Sequence, residues 1–192
     1  MNTKIKLAAL MLATGMGLSA SAQMDGKMAK EKTVEVGGAP MYPSKNIIEN
    51  AVNSKDHTTL VAAVKAAGLV ETLSGPGPFT VFAPTNAAFD KLPKGTVDNL
   101  LKPENKSKLT GVLTYHVLAG KFNAKDVMAA IKKGGGKATM KTVAGGELSF
   151  SMKGDKLMVS DANGGMAMVT IADVNQSNGV IHVVDSVLLP KM

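Results

Sequence analysis

Two stretches of the chain decide its fold: PFTVFAPTNAAFDKLP at residues 78–93 and NGVIHVVDSVLLP at residues 178–190. Alternation in the first stretch places three side chains on one face of a predicted strand, namely Phe79, Val81 and Ala83. Pro84 ends that strand and leaves Thr85 extended, so that Thr85 can cap a helix that begins at Asn86. The first stretch therefore predicts a strand that runs directly into a helix.

The second stretch predicts another strand, over residues 180–189. One face of this strand carries Val180, His182 and Val184, and the opposite face carries Ile181 and Val183. Asn178-Gly179 immediately before it is typical of a tight turn between strands. Pro190 closes the segment.

Helical periodicity marks the chain before and between these stretches. A helix is predicted over about residues 57–67, with Asp56 as the residue that caps its first turn. A shorter helix is predicted over residues 47–52. A third begins after Asn123, with Asp126 as its capping-box partner, and three glycines end it.

After this third helix the period of the apolar residues changes from 3.6 to 2. Strands are predicted over residues 147–152, 156–160 and 167–174, and Gly-rich or Asn-rich turns separate them. Helices first and short strands later favour an α+β domain, in which a largely antiparallel sheet packs against helices on one side.

Together with LTYHVL at residues 113–118, the two stretches resemble the signature boxes of the fasciclin-like domain family, and they occur in the family's order. The resemblance covers residues 46–190 and implies a wedge or sandwich of short antiparallel strands packed against several N-terminal helices. The residues that carry the family signature are Phe79, Phe82, Pro84, Thr85, Asn86, Phe89, Gly179, His182, Asp185 and Pro190. The family is known mainly for extracellular adhesion or interaction, and it has no shared catalytic residues.

The resemblance also implies candidate contact residues. In animal members, an Asp-Ile pair before the second box and the Tyr-His motif are assigned to integrin binding. Here Asp173 and Val174 stand at the position of the first pair, with Val in place of Ile, and Tyr115 and His116 match the motif. The alternative for Tyr115 and His116 is that both are packing residues of the core.

The N-terminal residues predict export. Two lysines precede an apolar run that ends in SASA at residues 19–22, the three-part pattern of a bacterial secretory signal. Cleavage is predicted after Ala22, with release to the periplasm or the medium. This leaves 20 lysines against 15 acidic residues, a net charge of +5. Residues 23–45 are predicted to be a flexible leader and residues 46–192 a single domain, with no transmembrane segment.

Composition excludes several classes of function. The chain has no Cys, which removes disulfides, thiolate metal sites and thiol nucleophiles. All 22 of its cationic residues are Lys, and without the planar fork of Arg the basic balance is poor support for a nucleic acid partner. It contains no nucleophile elbow, phosphate loop or HExxH motif. We therefore expect no enzyme activity, no cofactor, no metal and no nucleic acid partner.

Three histidines remain to be interpreted. His57 is expected to be exposed in the first turn of its helix. His116 and His182 lie within apolar strand patterns and are expected to be buried, neutral and hydrogen-bonded. Metal ligation by the last two is the alternative, and it has little support because no acidic residue stands at ligand spacing.

Methionine leaves two further possibilities open. Met166 and Met168 form a Met-x-Met pair beside a Gly-Gly turn, and their soft thioethers are suited to Cu(I). Alternatively, an apolar groove is lined by Met152, Met158, Met166 and Met168. Some fasciclin-like proteins are associated with carotenoids, so the resemblance permits a carrier of a carotenoid or lipid.

The sequence as a whole predicts an exported, non-catalytic binding or adhesion module. Its expected partner is a cell-surface or matrix protein or a polysaccharide, and the modest lysine excess favours acidic polysaccharide or an anionic envelope surface. The carrier of an apolar small molecule is the alternative function.

Overall fold

The computed structural model describes residues 31–191, so the predicted secretory signal and the first residues of the predicted leader lie outside the described part. Seven α-helices are described there: α1 (Ile47–Ala51), α2 (Thr58–Ala67), α3 (Val70–Ser74), α4 (Asn86–Asp90), α5 (Thr96–Leu100), α6 (Lys106–Tyr115) and α7 (Ala124–Lys133). Short 3₁₀ turns precede α2, at Lys55–His57, and α6, at Pro103–Asn105.

Nine strands are described in the same part of the chain. The first two form a hairpin, β1 (Val34–Val36) and β2 (Ala39–Met41). The other seven are β3 (Phe79–Pro84), β4 (Val117–Ala119), β5 (Lys137–Lys141), β6 (Glu147–Lys153), β7 (Lys156–Ser160), β8 (Met166–Gln176) and β9 (Gly179–Val184).

The seven-stranded sheet has the order β4-β3-β9-β8-β7-β6-β5. All neighbouring strands run antiparallel except β3 and β9, which pair in parallel with Phe79 opposite Gly179. A bridge between Leu118 of β4 and Thr142, the residue after β5, joins the two edge strands of the sheet. The sheet therefore curls until its edges meet, which gives the wedge implied by the sequence and confirms the α+β class.

Two apolar cores result from this curvature. The helix-side core lies between the sheet and helices α1, α2, α3 and α6, and its sheet residues include Val81, Ala83, Ile181 and Val183. The wedge core lies inside the curled sheet, is covered by α7, and is centred on Phe82, whose ring lies 5.4 Å from that of Phe150. The predicted alternation along β3 and β9 is confirmed, since successive residues face different cores. All six residues of β9 are buried, as expected for a strand covered on both faces.

The prediction of a flexible leader up to residue 45 is wrong for the β1–β2 hairpin. Val36 and Met41 are 4% and 3% exposed and belong to the helix-side core. The backbone is tied down as well, because Lys55 N–H donates to Gly37 C=O and Ser177 N–H donates to Lys45 C=O. The Gly37-Gly38 pair makes a tight turn with positive φ, and the chain on both sides of it is ordered.

Two local predictions need correction. The helix α2 begins at Thr58, and Asp56 lies in the preceding 3₁₀ turn without capping it. His57, expected to be exposed, is 3% exposed: Ser54 Oγ lies 2.9 Å from its Nδ1, and Ala83 O lies 3.4 Å from its Nε2. The predicted capping box of Asn123 and Asp126 at the start of α7 is confirmed.

Candidate binding surface

Tyr115 occupies the last turn of α6 and is 1% exposed. Its hydroxyl donates to the C=O of Glu147 at 2.7 Å and accepts from the N–H of Ala162 at 3.1 Å, so it connects the β5–β6 turn with the β7–β8 turn. Gly146 packs on the ring so closely that an added Cβ there would lie 2.6 Å from it. The side chain has no surface to offer a partner.

Replacement of Tyr115 by Phe is expected to reduce the free energy of unfolding by about 1–2 kcal/mol, because the substitution leaves a carbonyl and an N–H without their partner. Urea unfolding measures the change. Tyr42→Phe is the matched control, since Tyr42 is the other tyrosine of the chain and is half-buried. Equal stability of Tyr115→Phe and the wild type would contradict the assigned role.

His116 follows α6 directly, so the Tyr-His pair lies at the end of a helix and not, as the sequence predicts, in a strand. The His116 side chain is 3% exposed. Its Nδ1 lies 2.8 Å from the C=O of Val112, and its Nε2 accepts the N–H of Leu188 at 3.0 Å. This pairing requires the proton on Nδ1 and a neutral ring. Burial lowers the pKa of His116 to about 4. The expected burial and hydrogen bonding are confirmed, and the ring fastens the C-terminal stretch to α6.

His182, in the wedge core, is likewise hydrogen-bonded to the backbone through both ring nitrogens. Its Nε2 lies 2.8 Å from the C=O of Phe122, its Nδ1 accepts the N–H of Asp173 at 3.2 Å, and its ring stacks on that of Phe82. Burial lowers the pKa of His182 as well. Both ring nitrogens are occupied by backbone groups, so this histidine has no free nitrogen for a metal.

Asp173 lies at the second of two register shifts in β8. Its φ of +59° is the left-handed conformation, which Asp tolerates better than most residues. The side chain accepts the N–H of Ala124 at the start of α7, at 2.7 Å, and is partly exposed. Val174 next to it is 1% exposed. Of the four predicted contact residues, Asp173 alone has exposed side-chain surface, because the other three are packing residues.

The residues of the family signature have structural roles, as helix caps, backbone hydrogen-bond partners and core residues. Thr85 caps α4 by accepting the N–H of Ala88, and Asn86 accepts the N–H of Thr59 at the start of α2. At Gly179 an added Cβ would lie 2.1 Å from the C=O of Phe79, so the close parallel pairing requires glycine. Asp185 accepts the N–H of Met168. The remaining signature residues are buried or half-buried, namely Phe79, Phe82, Pro84, Phe89 and Pro190.

Sequence reasoning missed Asp161, in the β7–β8 turn. One carboxylate oxygen accepts the N–H groups of Asn163 and Gly165, and the other accepts the N–H of Leu189. Asn163 donates to the C=O of Leu189 and of Pro190. The Asp-x-Asn-Gly pattern is a turn signal, but its contact with the C-terminal segment depends on a fold that brings the two together.

The four methionines predicted to line one groove lie on two sides of the sheet. Met152 borders a groove of about 360 Å³ between α7 and the sheet, whose other apolar walls include Met128, Leu157 and Val169. Met158, Met166 and Met168 alternate with the buried residues of β7 and β8 and therefore face the opposite side. The prediction failed because it did not take the pleat of the strands into account.

A separate cavity of about 50 Å³ lies in the helix-side core, among residues that include Met41, Leu60 and Ile181. For comparison, an apolar cavity that holds benzene measures about 150 Å³. In its present packing this cavity is too small for a carotenoid or lipid.

The strands β5–β8 turn one face to the wedge core and the other to solvent. We call the second the outer face. Its residues are the exposed or half-exposed Lys137, Thr139, Lys141, Glu147, Ser149, Ser151, Lys153, Lys156, Met158, Ser160, Met166, Met168 and Thr170. Register places them in rows across the strands, such as Lys137-Ser151-Met158-Met168 and Thr139-Ser149-Ser160-Met166. The outer face is therefore a surface of hydroxyls, lysines and methionines with one carboxylate, that of Glu147.

Positive charge is concentrated in the same part of the chain. Residues 121–156 carry eight lysines against three acidic residues, a net charge of +5, and all eight lysines are exposed. The rest of the described chain has ten lysines against eleven acidic residues, a net charge of −1. Within residues 31–191 the ion pairs are Lys91 with Asp185 and Lys102 with Glu104, so none of the lysines of residues 121–156 is in an ion pair.

Over residues 31–191, no group of three or more His, Asp or Glu side chains is placed to hold a metal ion. No helix in this range is long and apolar enough to cross a membrane.

Comparison with known proteins places the chain among relatives of one kind. It matches the fasciclin domain over residues 55–190. It is 45% identical to Protein sll1483 of Synechocystis sp. over 196 aligned residues that cover both chains fully. It is 38% identical to Immunogenic protein MPB70 of Mycobacterium bovis, over 73% of this chain and 66% of that one. It is 37% identical to Cell surface glycolipoprotein MPB83 of the same species, over 73% of this chain and 58% of that one.

A solved structure shares the fold. The FAS1 domain pair from the insect cell adhesion molecule fasciclin I superposes with a TM-score of 0.67 at 17% identity, over 83% of this chain and 58% of that one. The agreement at such low identity shows that the curled sheet and its helical layer are common to both proteins.

Proposed function

The chain belongs to the fasciclin domain family, whose members are adhesion-type modules of the cell surface and extracellular space, and from this premise we propose that it is exported and binds an anionic polymer of the cell envelope or matrix. The proposed contact surface is the outer face of β5–β8. The protein acts by binding and carries out no reaction.

The concentration of charge is the observation that carries this proposal. A net charge of +5 lies within residues 121–156, and the remainder of the described chain is close to neutral. Four of these lysines, which we call the outer-face lysines, project from the sheet itself: Lys137, Lys141, Lys153 and Lys156. Exposed, unpaired charges of one sign attract a polymer of the opposite sign and align it along the surface.

The residues between the lysines suit a carboxylated polysaccharide. Ser149, Ser151, Ser160 and Thr139 present hydroxyls that both donate and accept hydrogen bonds, as sugar hydroxyls do. Lysine meets a carboxylate as a mobile point charge and imposes no planar geometry, which fits a chain of repeating groups. The surface therefore favours polyanions as a class, without selection for one sequence of sugars.

Binding to polygalacturonate is expected at about 0.1 M salt and is expected to be lost at about 1 M, because the Debye length shortens from about 10 Å to about 3 Å. Retention of the protein on immobilised polygalacturonate measures this, with uncharged dextran as the control polymer. Retention that persists unchanged at the higher salt concentration, or equal retention on dextran, would contradict the proposal.

A second candidate function rests on the groove between α7 and the sheet. Its volume of about 360 Å³ lies in the range of small-molecule sites, and Met128 and Met152 give it adaptable apolar walls. The polar residues that border this groove are Asp155, Lys156 and Thr170, and they are the candidate polar contacts of a bound molecule. In this function the protein carries an apolar small molecule. Mass spectrometry of protein purified from its native host tests it, and a preparation without any bound pigment or lipid excludes it.

A further inference from the structure

Three methionines lie side by side on the outer face, where every other neighbour is polar. Met158 of β7 stands directly opposite Met168 of β8. Met166 precedes Met168 by two residues, so it shares the same face, and it stands opposite Ser160. Met166 is 64% exposed, and the other two are half-exposed. Three thioethers and one hydroxyl therefore occupy the four corners of one small patch.

This placement is unusual for methionine. The buried residues of the same strands are those that alternate with it, such as Val159 and Ala167, so the three methionines add nothing to the wedge core. The other side chains that share their face are serine, threonine, lysine and one glutamate, Glu147. A structural need for apolar residues does not explain a cluster on the side of the sheet that faces solvent.

From this arrangement we propose that Met158, Met166 and Met168 form a binding site for a soft monovalent cation, Cu(I) or Ag(I). Directly opposed residues on neighbouring strands have their Cβ atoms roughly 4.5–5.5 Å apart, and residues two apart on one strand are separated by about 7 Å. The methionine side chain is long, unbranched and flexible. Three sulfur atoms can therefore converge on one ion without any movement of the backbone.

The ligand set decides which ion binds. Thioether sulfur is neutral and soft, and it selects Cu(I) among the biological metals. The patch offers no carboxylate to compensate a second positive charge: Asp185, next to Met168, is engaged with the Met168 N–H and with Lys91. Lys156 lies two residues from Met158 on the same face and repels a divalent ion more strongly than a monovalent one. Zn²⁺ and other borderline divalent ions are therefore disfavoured.

The inference is independent of polymer binding, although both use the outer face. Substitution of the methionines by Leu removes the sulfur, keeps an apolar side chain of similar volume, and leaves the four outer-face lysines in place. The triple variant M158L/M166L/M168L therefore separates the two properties. The matched control is M128L/M140L/M152L, which removes three methionines outside the outer face: Met128 and Met152 border the groove under α7, and Met140 packs against the wedge core.

Competition with the chromogenic chelator bicinchoninate, under ascorbate to keep copper as Cu(I), tests the proposal. The wild type and the control variant are expected to withdraw one equivalent of Cu(I) per chain. The M158L/M166L/M168L variant is expected to bind more than about tenfold more weakly, since even supporting groups around a metal site cost that much when removed. Failure of the wild type to compete, or equal withdrawal by M158L/M166L/M168L, overturns the proposal.

A second measurement excludes a loss caused by misfolding. Addition of Ag(I), which needs no reductant, is expected to raise the unfolding temperature of the wild type and of the control, because the ion binds the folded state. The M158L/M166L/M168L variant is expected to unfold at the same temperature as the metal-free wild type and to show no rise with Ag(I). A similar rise in all three proteins overturns the proposal.

Discussion

Acidification from pH 7 to pH 4 is expected to reduce the free energy of unfolding by about 3 kcal/mol through His116 alone. This histidine is neutral in the fold because burial lowers its pKa to about 4, whereas the unfolded chain takes up the proton near pH 6.5. Between these two values the unfolded state binds more protons, so stability falls as the pH falls. A loss of this size is a large fraction of the roughly 5–15 kcal/mol that stabilises a typical domain.

The other two histidines add to the same effect. Burial lowers the pKa of His57 and of His182, and it outweighs the bonds to the Ala83 and Phe122 C=O groups, which act in the opposite direction. The pKa of Asp185 is lowered too: partial burial opposes that shift, but the Met168 N–H and Lys91 outweigh it. Its stabilisation is lost mainly below pH 4, as the pH falls from the ordinary carboxyl pKa of 3.8 toward the lowered one, so it contributes little between pH 7 and pH 4.

Urea unfolding at pH 7, 5.5 and 4.5 measures the dependence, and the midpoint is expected to fall at each step. His116→Gln provides the control: it lowers stability at pH 7 but is expected to flatten the pH dependence, because the titrating group is gone. The same midpoint for the wild type at pH 7 and at pH 4.5 would show that the buried histidines do not couple folding to pH.

Met41→Ala is expected to reduce the free energy of unfolding by about 2–4 kcal/mol, the usual effect of truncating a buried methionine. Met41 is 3% exposed in the helix-side core, next to the small cavity that the substitution would enlarge. A flexible leader, which the sequence predicts for this segment, would give no change. Chemical denaturation therefore decides whether the β1–β2 hairpin belongs to the domain.

Met166→Ala is the matched control for this experiment. Met166 is 64% exposed, so its truncation is expected to change stability by less than about 0.5 kcal/mol. Equal effects of the two substitutions, or no effect of Met41→Ala, would contradict the packing of the hairpin on the core.

The sequence predicts the elements better than their partners. The strands β3 and β9 and the faces of their residues follow from alternation, and the start of α7 follows from Asn123 and Asp126. That β3 and β9 lie side by side in parallel does not follow, because the pattern within each strand carries no information about its neighbour. Gly179 is the one residue of β9 that reflects this pairing, because a Cβ there would collide with the C=O of Phe79. The sequence alone does not show which strand lies next to Gly179.

The errors have a common cause. His57 is in the first turn of a predicted helix, and its burial depends on Ala83, a residue of a distant strand. The leader contains glycine and proline, which are equally typical of a flexible tail and of a tight hairpin. The sequence groups Met158 and Met168 with Met152 because all three lie in strands, but the pleat places Met152 on the opposite side of the sheet from the other two. In each case contacts between distant parts of the chain override the local pattern.

The candidate contact residues show the same effect of distant contacts. The resemblance to the family selects Tyr115, His116 and Val174, but all three side chains are buried in the fold. The net charge of the sequence does not show that the lysines cluster. The register of β5–β7 places Lys137, Lys141, Lys153 and Lys156 together on the outer face.

The affinity for polygalacturonate of three proteins at about 0.1 M salt tests the proposed function most directly. The first is the wild type, and the second has the four outer-face lysines changed to Gln. The third has the same charge removed from the helical side, by the substitutions Lys65→Gln, Lys94→Gln, Lys106→Gln and Lys108→Gln. Four exposed charge contacts amount to about 1–3 kcal/mol, so the second protein is expected to bind roughly 10–100-fold more weakly and the third within about twofold of the wild type. Equal weakening of the second and third proteins, or undiminished binding by the second, would contradict the assignment of the outer face as the binding surface.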